Sequence, residues 1–278
     1  MFGHFGLPAF GLVGAGLATS IVNLLSFCAL ALVIVRHPRF RRFHLFGRFW
    51  RADWPRYRKL WTIGLPIGLA LAFEVTIFSG ATVVMGKLGA NELAAHAIAL
   101  QIASATFMVP LGLGQAATVR VGLAFGAGDH EGVTRAGWAA FAMTMAYMSA
   151  TALTMLLIPG LLTSIFLDPA NSTNAPVLAL AVSYLLFAAM FQLADGAQVV
   201  TAGMLRGLQD TRVPMIIAGI GYWLIGAPLG IGLGFGTELR GSGVWIGLAV
   251  GLAVVAVGLI MRWSARERLG LVRPHIAA

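Results

Sequence analysis

Apolar residues along this chain run together in seven long stretches, near 11–35, 62–86, 93–119, 136–158, 177–204, 213–235 and 243–262, and the polar residues collect in the short segments between them. At a rise of about 1.5 Å per residue, some 20 residues are needed to cross roughly 30 Å of hydrocarbon. Each stretch meets that length. None alternates as a barrel strand does, and lipid leaves the edge of an open sheet unsatisfied, so the pattern predicts helices. The implied fold class is all-α, a polytopic membrane helix bundle with seven transmembrane helices. The connectors carry turn residues: GKLGANE at 86–92, GAGDHEG at 126–132, DPANSTNAP at 168–176, RGLQDTRVP at 206–214 and GTELRGSG at 236–243. Asn91 followed by Glu92 predicts a helix cap with an acid in the first turn, and Pro214 suits a first helical position. Pro66, Pro110 and Pro228 predict kinks within or near the ends of spans.

Composition agrees with a chain whose main solvent is lipid. Hydrophobic residues make up 59%, mean hydropathy is +0.86, and only 10% of residues are charged, against roughly 25% in a soluble domain. A net charge of +9 would point to nucleic acid in a soluble protein. Here the cations lie between apolar runs and read as topology signals, so no nucleic-acid partner is expected. Alternating the seven spans puts 17 of the 19 Lys and Arg residues on one side, among them Arg36, Arg56, Arg58, Lys59, Arg120, Arg135, Arg206, Arg212 and Arg262, and leaves Lys87 and Arg240 on the other. By the positive-inside rule the C-terminus is cytoplasmic and the N-terminus outside, in a cell inner (plasma) membrane. The first apolar run has no basic segment before it and no A-x-A site, so it reads as a permanent span. An odd number of spans with an exterior start predicts that the chain begins partway through something larger. Trp50, Trp54, Tyr57 and Trp61 among the cations of the 36–61 segment form an interfacial aromatic belt. The single cysteine, Cys28, excludes disulfides and CxxC metal sites.

Eight of the ten acids fall in connectors or at span ends, and two do not. Glu74 stands halfway along the second span and Asp195 well inside the fifth. At such depth an acid costs on the order of 2–4 kcal/mol on insertion scales, so both must face protein, a cation or a water-filled cavity. No Lys or Arg is expected at comparable depth. Either both acids stay protonated and hydrogen-bond across the bundle, or the pair exchanges H⁺ or Na⁺ with the two sides of the membrane. Polar neighbours are consistent with a cavity: Gln192, Gln198 and Thr201 around Asp195, Thr76 and Phe78 near Glu74, and Gln101 with Ser104 in the third span. His96, without a partner in sequence, reads as structural. Walker A and HExxH motifs are missing, Asp195 sits in LADG rather than GxGD, and no intramembrane histidine could activate a serine. The sequence therefore predicts no enzyme and no cofactor.

Three segments, LWTIGLPIGLALAFEVTIF (60–78), LGANELAAHAIALQIASATFMVPLGLGQAATVRVG (88–122) and FQLADGAQVVTAGMLRGLQDTRVPMIIAGIGYWLIGAPLG (191–230), with PAFGLVGAGLATSIVNLL (8–25), resemble the multidrug and toxic compound extrusion (MATE) transporters of the NorM-like branch. The resemblance implies twelve helices in two lobes. Residues 1–35 would be the last helix of the first lobe, 36–61 a cytoplasmic basic linker, 62–262 the six-helix C-terminal lobe and 263–278 a cytoplasmic tail. It further implies a secondary active antiporter, here a fragment, that exports cationic or amphiphilic drug-like compounds in exchange for Na⁺ or H⁺, with a missing N-terminal lobe and the lipid bilayer as partners. The family's acidic pair matches Glu74 in FEVT and Asp195 in FQLADG. Some Na⁺-coupled relatives carry a tyrosine where this chain has Phe191, and the lost hydroxyl favours H⁺. Phe191, Gln101, Gln192, Gln198 and Thr201 are the expected polar and aromatic cavity lining. Two alternatives stay open: a flippase or exporter of lipid-linked sugars with the same two-lobe plan, and a non-transporting membrane fragment that needs a partner lobe.

Overall fold

The computed structural model describes residues 11–36 and 52–272, and those residues contain helices and turns and no strand. They divide into two units, Met1–Arg58 and Lys59–Ala278. In the first, α1 (Gly11–Arg36) is one uninterrupted helix whose last turn carries Arg36. The remaining helices are α2 (Trp54–Leu88), α3 (Ala90–Gly126), α4 (His130–Leu157), the short α5 (Pro159–Ser164), α6 (Ala175–Gly207), α7 (Arg212–Gly219), α8 (Ala227–Gly236) and α9 (Arg240–Ser264). Among the described residues, seven helical stretches are long and apolar enough to cross a membrane, and each overlaps one of the seven predicted spans. The predicted cations Arg39, Arg41, Arg42, Arg48, Arg51 and Arg273, and Trp50, lie outside the described residues.

Several helices outrun their apolar stretch. Helix α2 begins at Trp54 rather than 62, because Asp53 caps it: its carbonyl accepts from the Tyr57 amide at 2.9 Å and its Oδ1 from the Arg56 amide at 3.4 Å. Hydropathy marks only what lipid must solvate, whereas a capped helix continues through any residues that tolerate helical backbone. Trp54, Tyr57 and Trp61 thus stand on its first turns. Helix α4 begins at His130 rather than 136 for the same reason, with Asp129 Oδ1 accepting from the Gly132 amide at 2.8 Å.

The predicted cap at Asn91 is not formed. Helix α3 already starts at Ala90, and the residue before it is Gly89 at φ 152°, a backbone shape that a side chain at Asn91 cannot substitute for. Pro214 is the third residue of α7 rather than the first, still within the turn whose amides have no intrahelical acceptor. Helices α2 and α3 run on through Pro66 and Pro110. The sixth span behaves differently: between α7 and α8 it widens into a π-helical stretch, Ile220–Gly226. Pro228 follows at once, and since it has no amide to offer the carbonyl of Leu224, the ladder shifts register there.

The core of the second unit is built around α6, which is buried along most of its length from Ala181 to Gly207. Backbones meet closely at small residues. A Cβ added at Gly203 of α6 would come within 2.2 Å of the Gly114 carbonyl oxygen on α3, and one at Gly247 of α9 within 2.3 Å of Gly230 Cα on α8. In lipid, where apolar burial supplies little attraction between helices, such close packing and interhelical hydrogen bonds hold them together. One such bond runs from Thr118 Oγ1 to the Gly203 carbonyl at 2.9 Å. Trp245, Trp263 and Tyr184 are fully enclosed among them.

Candidate functional site

Glu74 projects from the middle of α2 and Asp195 from the middle of α6, and the two line one cavity of about 280 Å³. The face of α3 that closes it presents Leu100, Ala103, Ser104 and Phe107, spaced i, i+3, i+4, i+7 as one helical stripe. Phe78 and Phe191 complete the wall and meet edge to face with ring centroids 5.7 Å apart. Phe191 in turn packs edge-on against Trp245 at 5.9 Å. The position where a tyrosine was in question is therefore an aromatic joint, 2% exposed, beside the acids. Asp195 is itself only 7% exposed.

One turn beyond Asp195, Gln198 donates from Nε2 to Glu74 Oε2 at 3.5 Å, which bridges α6 and α2. Its own Oε1 is buried without a partner, as are the hydroxyls of Thr201 and Tyr222. Tyr222 belongs to the π-helical stretch and lies near enough to interact electrostatically with both Glu74 and Asp195. Nothing in the sequence pointed to it, because an isolated tyrosine in an apolar run reads as core.

The expected lining residues are only partly brought together. Phe191 lines the cavity and Gln198 touches Glu74. Gln192, one residue on from Phe191, is rotated about 100° away from it. It is buried among α3 and α4 instead, accepting from Thr106 Oγ1 at 2.9 Å and donating to Thr151 Oγ1 at 3.2 Å and Met155 Sδ at 3.4 Å. It is a strut, not cavity lining. Gln101 is exposed and misses the cavity for the same reason, adjacent to Leu100 but off its stripe. Thr201 is buried within α6 and is not part of that wall.

Glu74 also lines a second, narrower crevice of about 30 Å³ on the other side of its carboxyl. That crevice holds a cation the sequence reading left in a connector. Arg206, in the last turn of α6, lines it together with Gln198 and Asp210. The signal was present as the eleven-residue spacing from Asp195 to Arg206, which returns to nearly the same helix face after three turns. Asp210 is engaged elsewhere, by Arg262 of α9 through Nε at 2.5 Å and a second nitrogen at 3.1 Å.

At the opposite end of the bundle, Glu92 is buried rather than solvated. Arg240 Nε donates to its Oε1 at 2.9 Å, the Tyr184 hydroxyl to its Oε2, and the arginine also reaches the Leu88 carbonyl at 2.6 Å. His96 is fully buried, with Nε2 3.2 Å from Thr82 Oγ1 and its ring 5.5 Å from that of Trp245. Among the described residues no three His, Cys, Asp or Glu side chains gather as a metal cluster.

Comparison with known proteins gives this arrangement its context. The MatE family model matches residues 66–231. A probable multidrug resistance protein NorM of Mesorhizobium japonicum is 59% identical over 97% of this chain, and one of Brucella suis is 53% identical over all 278 residues of this chain. The chain spans 58% and 59% of those relatives. The crystal structure of the eukaryotic MATE transporter AtDTX14 superposes with a TM-score of 0.81 at 22% identity, over 97% of this chain and 58% of that one. With more than half of its residues matched by the family model and its helices following the same fold, the chain belongs to the MatE family.

Proposed function

We propose that this chain forms part of an ion-coupled multidrug exporter in which Glu74 and Asp195 bind the coupling cation, and in which that binding drives release of a cationic or amphiphilic compound. The observation that carries the reading is the convergence of two acids from separate helices on one cavity, with no salt-bridge partner for either among the described residues. Two carboxylates in an apolar enclosure do not both stay ionised without a counter-charge. A proton shared between them or a Na⁺ ion held by their oxygens supplies it. The wall at Phe191 offers no hydroxyl to Na⁺, which favours the proton. Discharge of the site on one side of the membrane and recharge on the other ties two states of the lobe to the ion gradient, and a ligand with different affinity for those states is moved by it.

The relatives named NorM support multidrug compounds as the substrate class. The reading places the C-terminus in the cytoplasm and the N-terminus outside the plasma membrane, with a further lobe completing the substrate pathway. In vesicles that hold this chain together with the rest of the transporter, Asp195→Asn is expected to abolish dye export driven by an ion gradient at unchanged membrane abundance. Full export by that variant would overturn the assignment.

A further inference from the structure

We infer that Arg206 acts as a built-in counter-cation for Glu74, competing with the coupling ion and promoting its departure toward the end of the bundle where Arg206 stands. The inference rests on the proposed coupling role of Glu74. Its structural basis is the crevice on the far side of that carboxyl. Glu74 forms a wall common to the cavity it shares with Asp195 and the crevice it shares with Arg206.

Within the crevice, Pro66, Ile67 and Ala202 supply apolar walls, and the charged members are Glu74, Arg206 and Asp210. Asp210 is held by both donors of Arg262. The Arg206 guanidinium has no hydrogen-bond or ion-pair partner among the described residues, and the acid it interacts with electrostatically is Glu74. A partly buried arginine with every donor unused, lining with Glu74 a crevice of about 30 Å³ with room for about two waters, has in Glu74 the one lining carboxylate that Arg262 does not already pair. Gln198 lines the same crevice, donates to Glu74 at 3.5 Å and keeps its own oxygen without a partner, an acceptor available to the guanidinium.

An exchanger needs such a device. Once the coupling ion has left, Glu74 and Asp195 would face an apolar cavity with an uncompensated charge, and the ion would be held too tightly to leave. A tethered cation lowers that barrier, because the ion's departure is matched by Arg206 closing on the vacated carboxylate. Rebinding of an ion from the Asp195 cavity displaces the arginine toward Asp210 and the crevice mouth. The other groups that face Glu74 are Asp195 from α6 and Tyr222 from the π-helical stretch, neither of which carries positive charge.

The test is cation affinity of the purified chain in lipid nanodiscs, read by tryptophan fluorescence in separate titrations with Na⁺ and with protons. Arg206→Gln and Arg206→Leu are made together, since the apolar walls accept an aliphatic side chain, and Arg206→Lys keeps the charge. Loss of a unit charge at this range from a half-buried carboxylate is expected to tighten cation binding roughly ten- to hundredfold in the neutral variants, with Arg206→Lys close to the parent. Unchanged affinity in the neutral variants, at melting temperatures near the parent's, overturns the inference. Glu74→Gln separates the two claims: if it leaves the cation response intact, the coupling site itself is wrongly placed, whereas if it abolishes the response and the Arg206 variants change nothing, only the role of Arg206 falls.

Discussion

At the scale of single residues, depth and partner decide what a polar side chain does, and sequence position alone does not. Gln192 and Gln198 both lie within a turn of Asp195, yet Gln198 bridges to Glu74 while Gln192 links α6 to α3 and α4. Their roles predict different losses. Gln192→Leu removes an interhelical tie worth about 1–2 kcal/mol, softened because the hydroxyl of Thr106 also bonds to its own helix at the Ala103 carbonyl (2.8 Å) and that of Thr151 to the Met148 carbonyl (3.1 Å). A lower melting temperature with cation binding unchanged is the expected result; lost cation binding would place Gln192 in the site. The acids at depth were legible from insertion cost alone, since nothing else explains a carboxyl in the middle of an apolar run. Arg206 and Tyr222 were not. Whether a residue at a span end or in an apolar stretch turns toward a cavity depends on which helix packs against that face.

Helices in this lobe are held by the absence of side chains as much as by their presence. Gly247 brings α9 into backbone contact with α8, and a side chain there must push the helices apart, whereas a Cβ at Gly230 would meet only ordinary contact distances of 3.4 Å or more. Gly247→Val is expected to cost about 1–3 kcal/mol or more by overpacking. Gly232→Ala, two residues along α8 from Gly230 and with open space around its would-be Cβ, is expected to be neutral or slightly stabilising. Melting of the two variants in detergent checks the contrast, and equal stability would mean that the α8–α9 contact is not tight. The count and order of spans could be read from hydropathy because lipid imposes a minimum apolar length. The ends could not, since Asp53, Gly89 and Asp129 set them through caps and backbone shape. The π-helical stretch was hidden as well: Pro228 announced a local disturbance, but close packing of Gly221 and Gly226 against Gly251 on α9 accompanies its particular form.

For the whole molecule, the distribution of Lys and Arg makes a prediction about sidedness. With Cys28 replaced by serine, a cysteine at Asn171, in the connector between α5 and α6, is expected to react with a membrane-impermeant maleimide added to intact cells. A cysteine at Asp129, between α3 and α4, is expected to react only after permeabilisation. The reverse pattern would invert the topology and with it the side to which Arg206 directs the ion. Both positions are exposed, and although the change at Asp129 removes the α4 cap, at a cost of about 1 kcal/mol, the cost falls on a helix end and leaves the sidedness readout intact.

The sequence by itself determined that the described residues carry seven helices long and apolar enough to cross a membrane and that Glu74 and Asp195 are the exceptional residues among them, because the free energy of placing peptide groups and charges in hydrocarbon is large and depends only on local composition. Tertiary structure alone decided that these two acids share a cavity, that Gln192 and Gln101 stand outside it, and that Arg206 opposes Glu74 from behind. Those outcomes turn on the rotation and spacing of neighbouring helices, which small residues such as Gly203 and Gly114 set through backbone contact and which no single stretch of sequence encodes.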